Sequence, residues 1–240
     1  MTTVKTTLLL SLYVQILTTF LGFVGLLYDV AKKDKILKTI LGLETIVQII
    51  ELIFYIWFSY FYTKNLDRVD IAKYRYYDWV FTTPMMLLST IMYFEYNNYN
   101  SNKNSIDQNT DNKNSENQYL TANKFIKNNA NNIRDVFFYN FCMLLMGYLN
   151  EIGIINVWIA VIIGFVFFYL SFSLIYNKYA IKSQINMNIF YVLTFLWASY
   201  GIAALLPFKL KNICYNILDI FSKNFYGLFI VYIIYTKRVK

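Results

Sequence analysis

In the stretch NILDIFSKN, residues 216–224, an aspartate and a lysine stand four positions apart, Asp219 and Lys223. At i and i+4 on a helix they share one face. The surrounding residues, 213–236, are otherwise apolar enough for a bilayer-crossing helix, where an ionisable group is costly and marks function. An amine held at low dielectric is ready to form a Schiff base with an aldehyde, and the protonated adduct stays cationic and needs anionic partners. Asp219 is one such partner. Asp78, with Arg75 one turn before it in another apolar stretch, is a second. The plain alternative is a salt bridge that glues helices together. A further set lies in GLETIVQIIELIFY, residues 42–55, where Glu44, Gln48, Glu51 and Tyr55 fall at i, i+4, i+7 and i+11. They form one polar stripe on an apolar helix. Such a stripe is either a buried hydrogen-bonded seam or one wall of a hydrated path that attracts cations. Ser11 and Gln15, four apart in the first apolar stretch, and Asn216 and Asn224 in the last can face the same path.

The elements that must position these groups are long helices. The chain has 240 residues, 58% hydrophobic and 15% charged, which points to a polytopic membrane protein. With 8 Gly and 2 Pro it lacks the turns of a β-barrel. Apolar runs near 6–29, 37–62, 71–96, 133–150, 153–176, 186–207 and 213–236 are each long enough, or nearly so, to span. The fold class is therefore all-α, a seven-transmembrane-helix bundle forming a single domain over 1–240. A long Asn-rich cytoplasmic loop of low complexity, 97–132, lies between helices three and four. No cleavable signal peptide stands out, since 6–29 is too long for one and reads as the first span. There is no histidine, and the two cysteines, Cys142 and Cys214, lie in apolar segments. No metal cluster, Gly-rich phosphate loop or Ser/His/Asp set is present, so neither a metal nor an enzymatic activity is expected.

The net charge of +8 reads as topology. With the N-terminus outside, the inner side collects Lys32, Lys33, Lys35, Lys38, the basic residues of 97–132, Arg134, Lys178, Lys182, Lys237, Arg238 and Lys240. The outer side keeps Lys5, Lys64, Arg68, Lys73, Lys209 and Lys211. This bias puts the C-terminus in the cytoplasm. No basic stripe interleaved with base-stacking aromatics suggests a nucleic acid.

RYYDWVFTTPMMLLS, residues 75–89, resembles the third helix of the microbial rhodopsins. LWASY, 196–200, resembles their sixth helix, and LDIFSK, 218–223, the retinal-lysine segment of their seventh. The order and spacing of these motifs agree over the whole chain except the Asn-rich loop. The resemblance implies all-trans-retinal bound to Lys223 as a protonated Schiff base. Asp78 and Asp219 would be its counter-ions, Asp78 also the proton acceptor, with Arg75 in the outer half and Thr82 hydrogen-bonded to Asp78. It also implies a pocket of Tyr55, Trp79, Thr83, Met86, Met143, Gly147, Trp158, Phe165, Trp197 and Tyr200, with Tyr55 donating a hydrogen bond to Asp219.

Asp78, Thr82 and Ser89 occupy the positions that sort these proteins by task. An outward proton pump usually has a carboxylic acid at the third, and Ser89 cannot supply a proton. Asp/Thr/Ser with the Glu-x-x-x-Gln-x-x-Glu stripe resembles the group-1 viral rhodopsins of giant viruses. The implied function is a light-gated cation channel in a host cell membrane. Its path would be lined by Ser11, Glu44, Gln48, Glu51 and Asn224 near Arg75 and Asp219. Expected partners are retinal, the lipid bilayer, sodium, potassium or protons, calcium as a modulator, and further copies of the chain. The rival readings are a slow outward proton pump, a photosensor with a separate transducer and a seven-helix transporter without retinal.

Overall fold

The computed structural model describes residues 3–62, 71–107 and 119–239. Among the described residues seven long helices follow one another: α1 (Thr3–Leu27), α2 (Lys35–Tyr62), α3 (Ala72–Asp107), α4 (Ala122–Glu151), α5 (Val157–Lys178), α6 (Gln184–Ala203) and α7 (Phe208–Lys237). Each packs on its sequence neighbours, and α1 packs on α7, so the bundle closes into a ring. Helix α7 also touches α2, which brings α1, α2 and α7 together along one seam.

Local chemistry sets the helix ends. Thr121 and Asn156 cap α4 and α5, their side-chain oxygens accepting from the Lys124 and Trp158 amides. Gly153, at φ 80°, closes α4 in the left-handed conformation that glycine adopts without strain. Pro84 sits inside α3 and removes a backbone donor. The two threonines before it bond back one turn, Thr82 to the Asp78 carbonyl at 3.0 Å and Thr83 to the Trp79 carbonyl at 2.7 Å.

The burial pattern is inverted relative to a water-soluble bundle. Large apolar side chains such as Phe20, Ile162, Tyr169 and Phe195 lie on the outside. Glu44, Glu51, Arg75, Asp78, Asp219 and Lys223 lie inside. Helices α1, α2, α5, α6 and α7 are each long and apolar enough to cross a membrane. The fold is thus the expected all-α seven-helix bundle.

The Asn-rich stretch differs from the expected loop over 97–132. Helix α3 runs on to Asp107 and α4 begins at Ala122, while 108–118 lie outside the described residues, as do Lys64 and Arg68. Asparagine has modest helix propensity, but these side chains find tertiary partners. Asn97 donates to the Asn186 oxygen at 2.8 Å, and Asn186 donates to the Asn98 oxygen at 2.9 Å and the Phe94 carbonyl at 3.0 Å. Asn98 donates to the Tyr179 carbonyl, and Tyr179 donates to Asn129. The network joins the ends of α3, α4, α5 and α6 and carries the helices beyond their apolar runs. Asn186→Ala breaks three of its bonds and leaves buried partners unpaired, a loss of about 1–3 kcal/mol. A lowered Tm in thermal unfolding of the purified protein is the expected result, and an unchanged Tm would mean that other contacts hold these ends.

Candidate functional site

Helix α7 departs from α-helical geometry where Lys223 sits. Residues Ile220–Phe225 form a π-helical turn between two regular segments, Phe208–Asp219 and Tyr226–Lys237. A π turn holds more residues than an α turn, so consecutive side chains diverge less. Ser222, Lys223 and Asn224 in this turn are all buried. Asn224 donates to the Asp219 carbonyl at 3.3 Å across this turn.

Three carboxylates surround Lys223 Nζ. Asp78 Oδ2 is at 2.5 Å, Glu51 Oε1 at 3.6 Å and Asp219 Oδ1 at 3.8 Å. The i+4 partner within the helix is therefore the most distant of the three. Asp219 is engaged elsewhere: Tyr55 donates to its Oδ2 at 2.6 Å, Arg75 Nη1 at 3.2 Å, and Tyr200 donates to Oδ1 at 2.7 Å. Arg75 also donates to the Tyr55 hydroxyl at 3.0 Å and to Asn216 Oδ1, and lies against the rings of Tyr55, Phe58 and Tyr215. Each buried cation thus has a carboxylate of its own, as low dielectric requires.

Beyond Lys223 a cavity extends from α7 across the bundle. Trp79, Thr83 and Met86 of α3 line it, with Met143 and Gly147 of α4, Phe165 of α5, and Trp197 and Tyr200 of α6, all expected from the sequence. Tyr76, Gly164, Phe168, Gly201, Tyr215 and Ser222 add walls that the sequence did not single out. Gly147 leaves room for Tyr76, whose hydroxyl a β-carbon there would strike. Asn140 orients Thr83 through a 2.8 Å hydrogen bond. The arrangement suits a long, flat, apolar molecule tethered at the amine end.

Three expectations need correction. Trp158 is 61% exposed and does not line the cavity. It shares a helical-wheel angle with Phe165 but lies seven residues earlier, about 10 Å along the axis, in the first turn of α5. The Thr82 hydroxyl bonds the Asp78 backbone carbonyl instead of its carboxylate, because the i−4 carbonyl lies within reach of a helical threonine. Tyr55, expected among the pocket residues, stands outside the cavity wall because its hydroxyl is held between Asp219 and Arg75; the expected hydrogen bond to Asp219 is present.

The α2 stripe is buried along its length. Glu44 meets the Ser89 hydroxyl on α3, Gln48 packs where Gly227 of α7 has no side chain, and Glu51 meets Lys223 and the Asn224 amide, at 3.4 Å. On α1, Gln15 donates to Ser11 at 3.0 Å, and Thr18 donates to Asn224 at 2.6 Å. Thr18 follows Ser11 and Gln15 at i+7, a spacing visible in the sequence. Gln15 Oε1, Glu44 Oε2, Gln48 Oε1 and Asp78 Oδ1 are buried without a hydrogen bond among the described residues. The α1–α2–α7 seam is therefore polar from Asn216 to Glu44 and passes beside Lys223.

A seven-helix ring with one buried lysine among carboxylates and a flat apolar cavity is the architecture of a retinal protein. The bacteriorhodopsin-like protein family matches residues 6–237, and the chain belongs to it. Microbial rhodopsins are light-driven ion transporters or channels that bind retinal as a chromophore. No curated protein sequence matches the chain. Among solved structures it is similar to the viral rhodopsin OLPVRII, at 24% identity over 97% of this chain and 98% of that one, TM-score 0.77. It is also similar to the proton-pumping rhodopsin AR2 from the marine alga Acetabularia acetabulum (16%, 98% and 96%, 0.68) and to halorhodopsin, a light-driven chloride pump (12%, 98% and 96%, 0.70). The likeness establishes the fold.

Asp219→Asn removes the only carboxylate bonded to Arg75 among the described residues. Breaking a buried pair in this way costs about 3–5 kcal/mol. A strongly lowered Tm, or failure to recover folded protein, is the expected outcome; wild-type stability would mean that Tyr55 and Asn216 alone hold Arg75.

Proposed function

We propose that the chain is a light-gated cation channel, with retinal joined to Lys223 Nζ. The observation that carries this reading is the buried polar seam between α1, α2 and α7, with Lys223 at its middle. The cavity residues fit retinal: Trp79, Trp197 and Tyr200 supply flat walls, Met86 and Met143 adaptable ones, and Lys223 the attachment point. When bound, retinal supplies absorption of visible light and a light-driven change of shape at the Lys223 nitrogen.

The chain's own groups do the rest. Asp78 Oδ2, at 2.5 Å, takes the proton from Lys223 Nζ. Both groups then become neutral. Asp219 keeps Arg75, but Glu51 loses the cation 3.6 Å away and keeps only the Asn224 amide. Such a group draws water and cations into the seam. The unpaired oxygens of Gln15, Gln48 and Glu44 give them further contacts. Sodium, potassium and protons pass down their gradients, and calcium, a hard cation that favours carboxylate oxygens, modulates the flow. The basic-residue bias supports an orientation with the α1 N-terminus outside and the C-terminus in the cytoplasm, and the resemblance to viral rhodopsins supports a host cell membrane.

A second reading, a slow outward proton pump, draws on the Ser89–Glu44 contact, which brings a carboxyl group to the place where a pump must reload. Voltage-clamped photocurrents in retinal-supplied cells separate the two. A current that reverses near a cation's equilibrium potential is expected, whereas one that stays outward at all potentials makes the protein a pump. Lys223→Ala is expected to lose the visible absorption band entirely, and a retained band would remove Lys223 from its role. Glu51→Gln is expected to keep a visible band and lower the photocurrent roughly tenfold, the effect of about 1.4 kcal/mol on cation passage. Wild-type conduction in that variant would take Glu51 out of the path.

A further inference from the structure

The polar seam stops at Asn216. At the end of the bundle that holds the α1 N-terminus, Val4, Leu8, Phe58 and Ile71 pack with Tyr55 into a buried apolar cluster. Asn216 stands on the boundary and is itself fully buried. Its Oδ1 accepts from Arg75 Nη2 and lies 3.4 Å from the Tyr55 hydroxyl oxygen. Its Nδ2 donates to Thr7 Oγ1 at 2.9 Å and to the Val4 carbonyl at 3.4 Å. One amide therefore links the buried guanidinium of α3 to the first turns of α1.

From this, and resting on the channel reading above, we infer that Val4, Leu8 and Phe58 form a closed apolar gate at the α1 N-terminal end of the seam, and that Asn216 is the positioning residue that ties this gate to Arg75. An apolar constriction excludes water and ions while its walls stay in contact. It opens when one wall shifts. Arg75 lies against the Phe58 ring and reaches α1 through the single side chain of Asn216, and its balance changes when the Lys223 proton moves to Asp78 and leaves Arg75 as the cation beside Asp219. Arg75 is held on one side by Asp219 and Tyr55 and on the other by Asn216. A displacement of Arg75 pulls on Asn216, and Asn216 pulls on the Val4 carbonyl and Thr7. Helix α1 moves as a wall because Val4 and Leu8 lie one turn apart on the same face. Cations therefore meet their last barrier at α1, separate from the carboxylates that attract them.

The test uses the full-length, retinal-loaded protein. Asn216→Leu removes both links while keeping the same number of side-chain heavy atoms, and Val4→Thr places a hydroxyl in the apolar gate at the same shape. Asn216→Leu is expected to keep the visible band and the light-induced transfer of the Lys223 proton, followed by flash absorption, while the photocurrent falls at least fivefold. A residue that merely supports the fold would disturb band and current together. Val4→Thr is expected to pass a cation current in the dark. The inference requires both results. Wild-type photocurrent from Asn216→Leu, a changed proton-transfer rate in it, or a dark-silent Val4→Thr overturns it, with the channel reading intact. A wild-type protein with no passive photocurrent overturns the channel reading and this gate with it.

Discussion

A lysine ammonium at the centre of a membrane bundle, 2% exposed, is the constraint on which the rest of the structure depends. An isolated charge there is too costly to keep, so the fold brings anions to it from three helices: Asp78 of α3, Glu51 of α2 and Asp219 of α7. Three carboxylates need more than one cation, and Arg75 supplies the second. Tyr55 and Tyr200 donate to Asp219, and Asn224 donates to Glu51, so the anions are hydrogen-bonded as well as paired. The π turn lies at the same place, and Ser222, Lys223 and Asn224 within it are all buried.

That arrangement divides the interior into two regions. On the α3–α4–α5–α6 side of Lys223 the cavity is aromatic and apolar and suits a flat chromophore. On the α1–α2 side the lining is amide, hydroxyl and carboxyl, with several oxygens left without a hydrogen bond. A change in the charge of Lys223 is felt on both sides at once, since its nitrogen ends one region and touches the other. At the α1 N-terminal end the polar seam meets a buried apolar cluster.

The same seven-helix frame is shared with structures of a viral rhodopsin, a proton pump and a chloride pump. The frame therefore does not choose among ion tasks. Side chains rather than the frame must make that choice, and beside Lys223 this chain buries the α2 stripe with its partners on α1 and α7.

Much of this was legible in the sequence, and for definite reasons. Helical periodicity alone placed Glu44, Gln48, Glu51 and Tyr55 on one face, and apolar length alone gave seven helices. The motifs around Asp78 and Lys223 pointed to the retinal-protein fold and to most of the cavity wall. Periodicity is angular, however, and says nothing of axial depth, so Trp158 shared Phe165's angle and yet missed the cavity. Composition marked 97–132 as a loop, whereas α3 and α4 extend into it because Asn97, Asn98 and Asn129 found partners on other helices or their connections. Tertiary packing also decided that Asp78 rather than Asp219 is nearest to Lys223, and that Asn216 joins Arg75 to α1. Local sequence determines which face a residue occupies; which groups meet across the bundle depends on how the faces of separate helices are brought together, and no spacing along one helix encodes that.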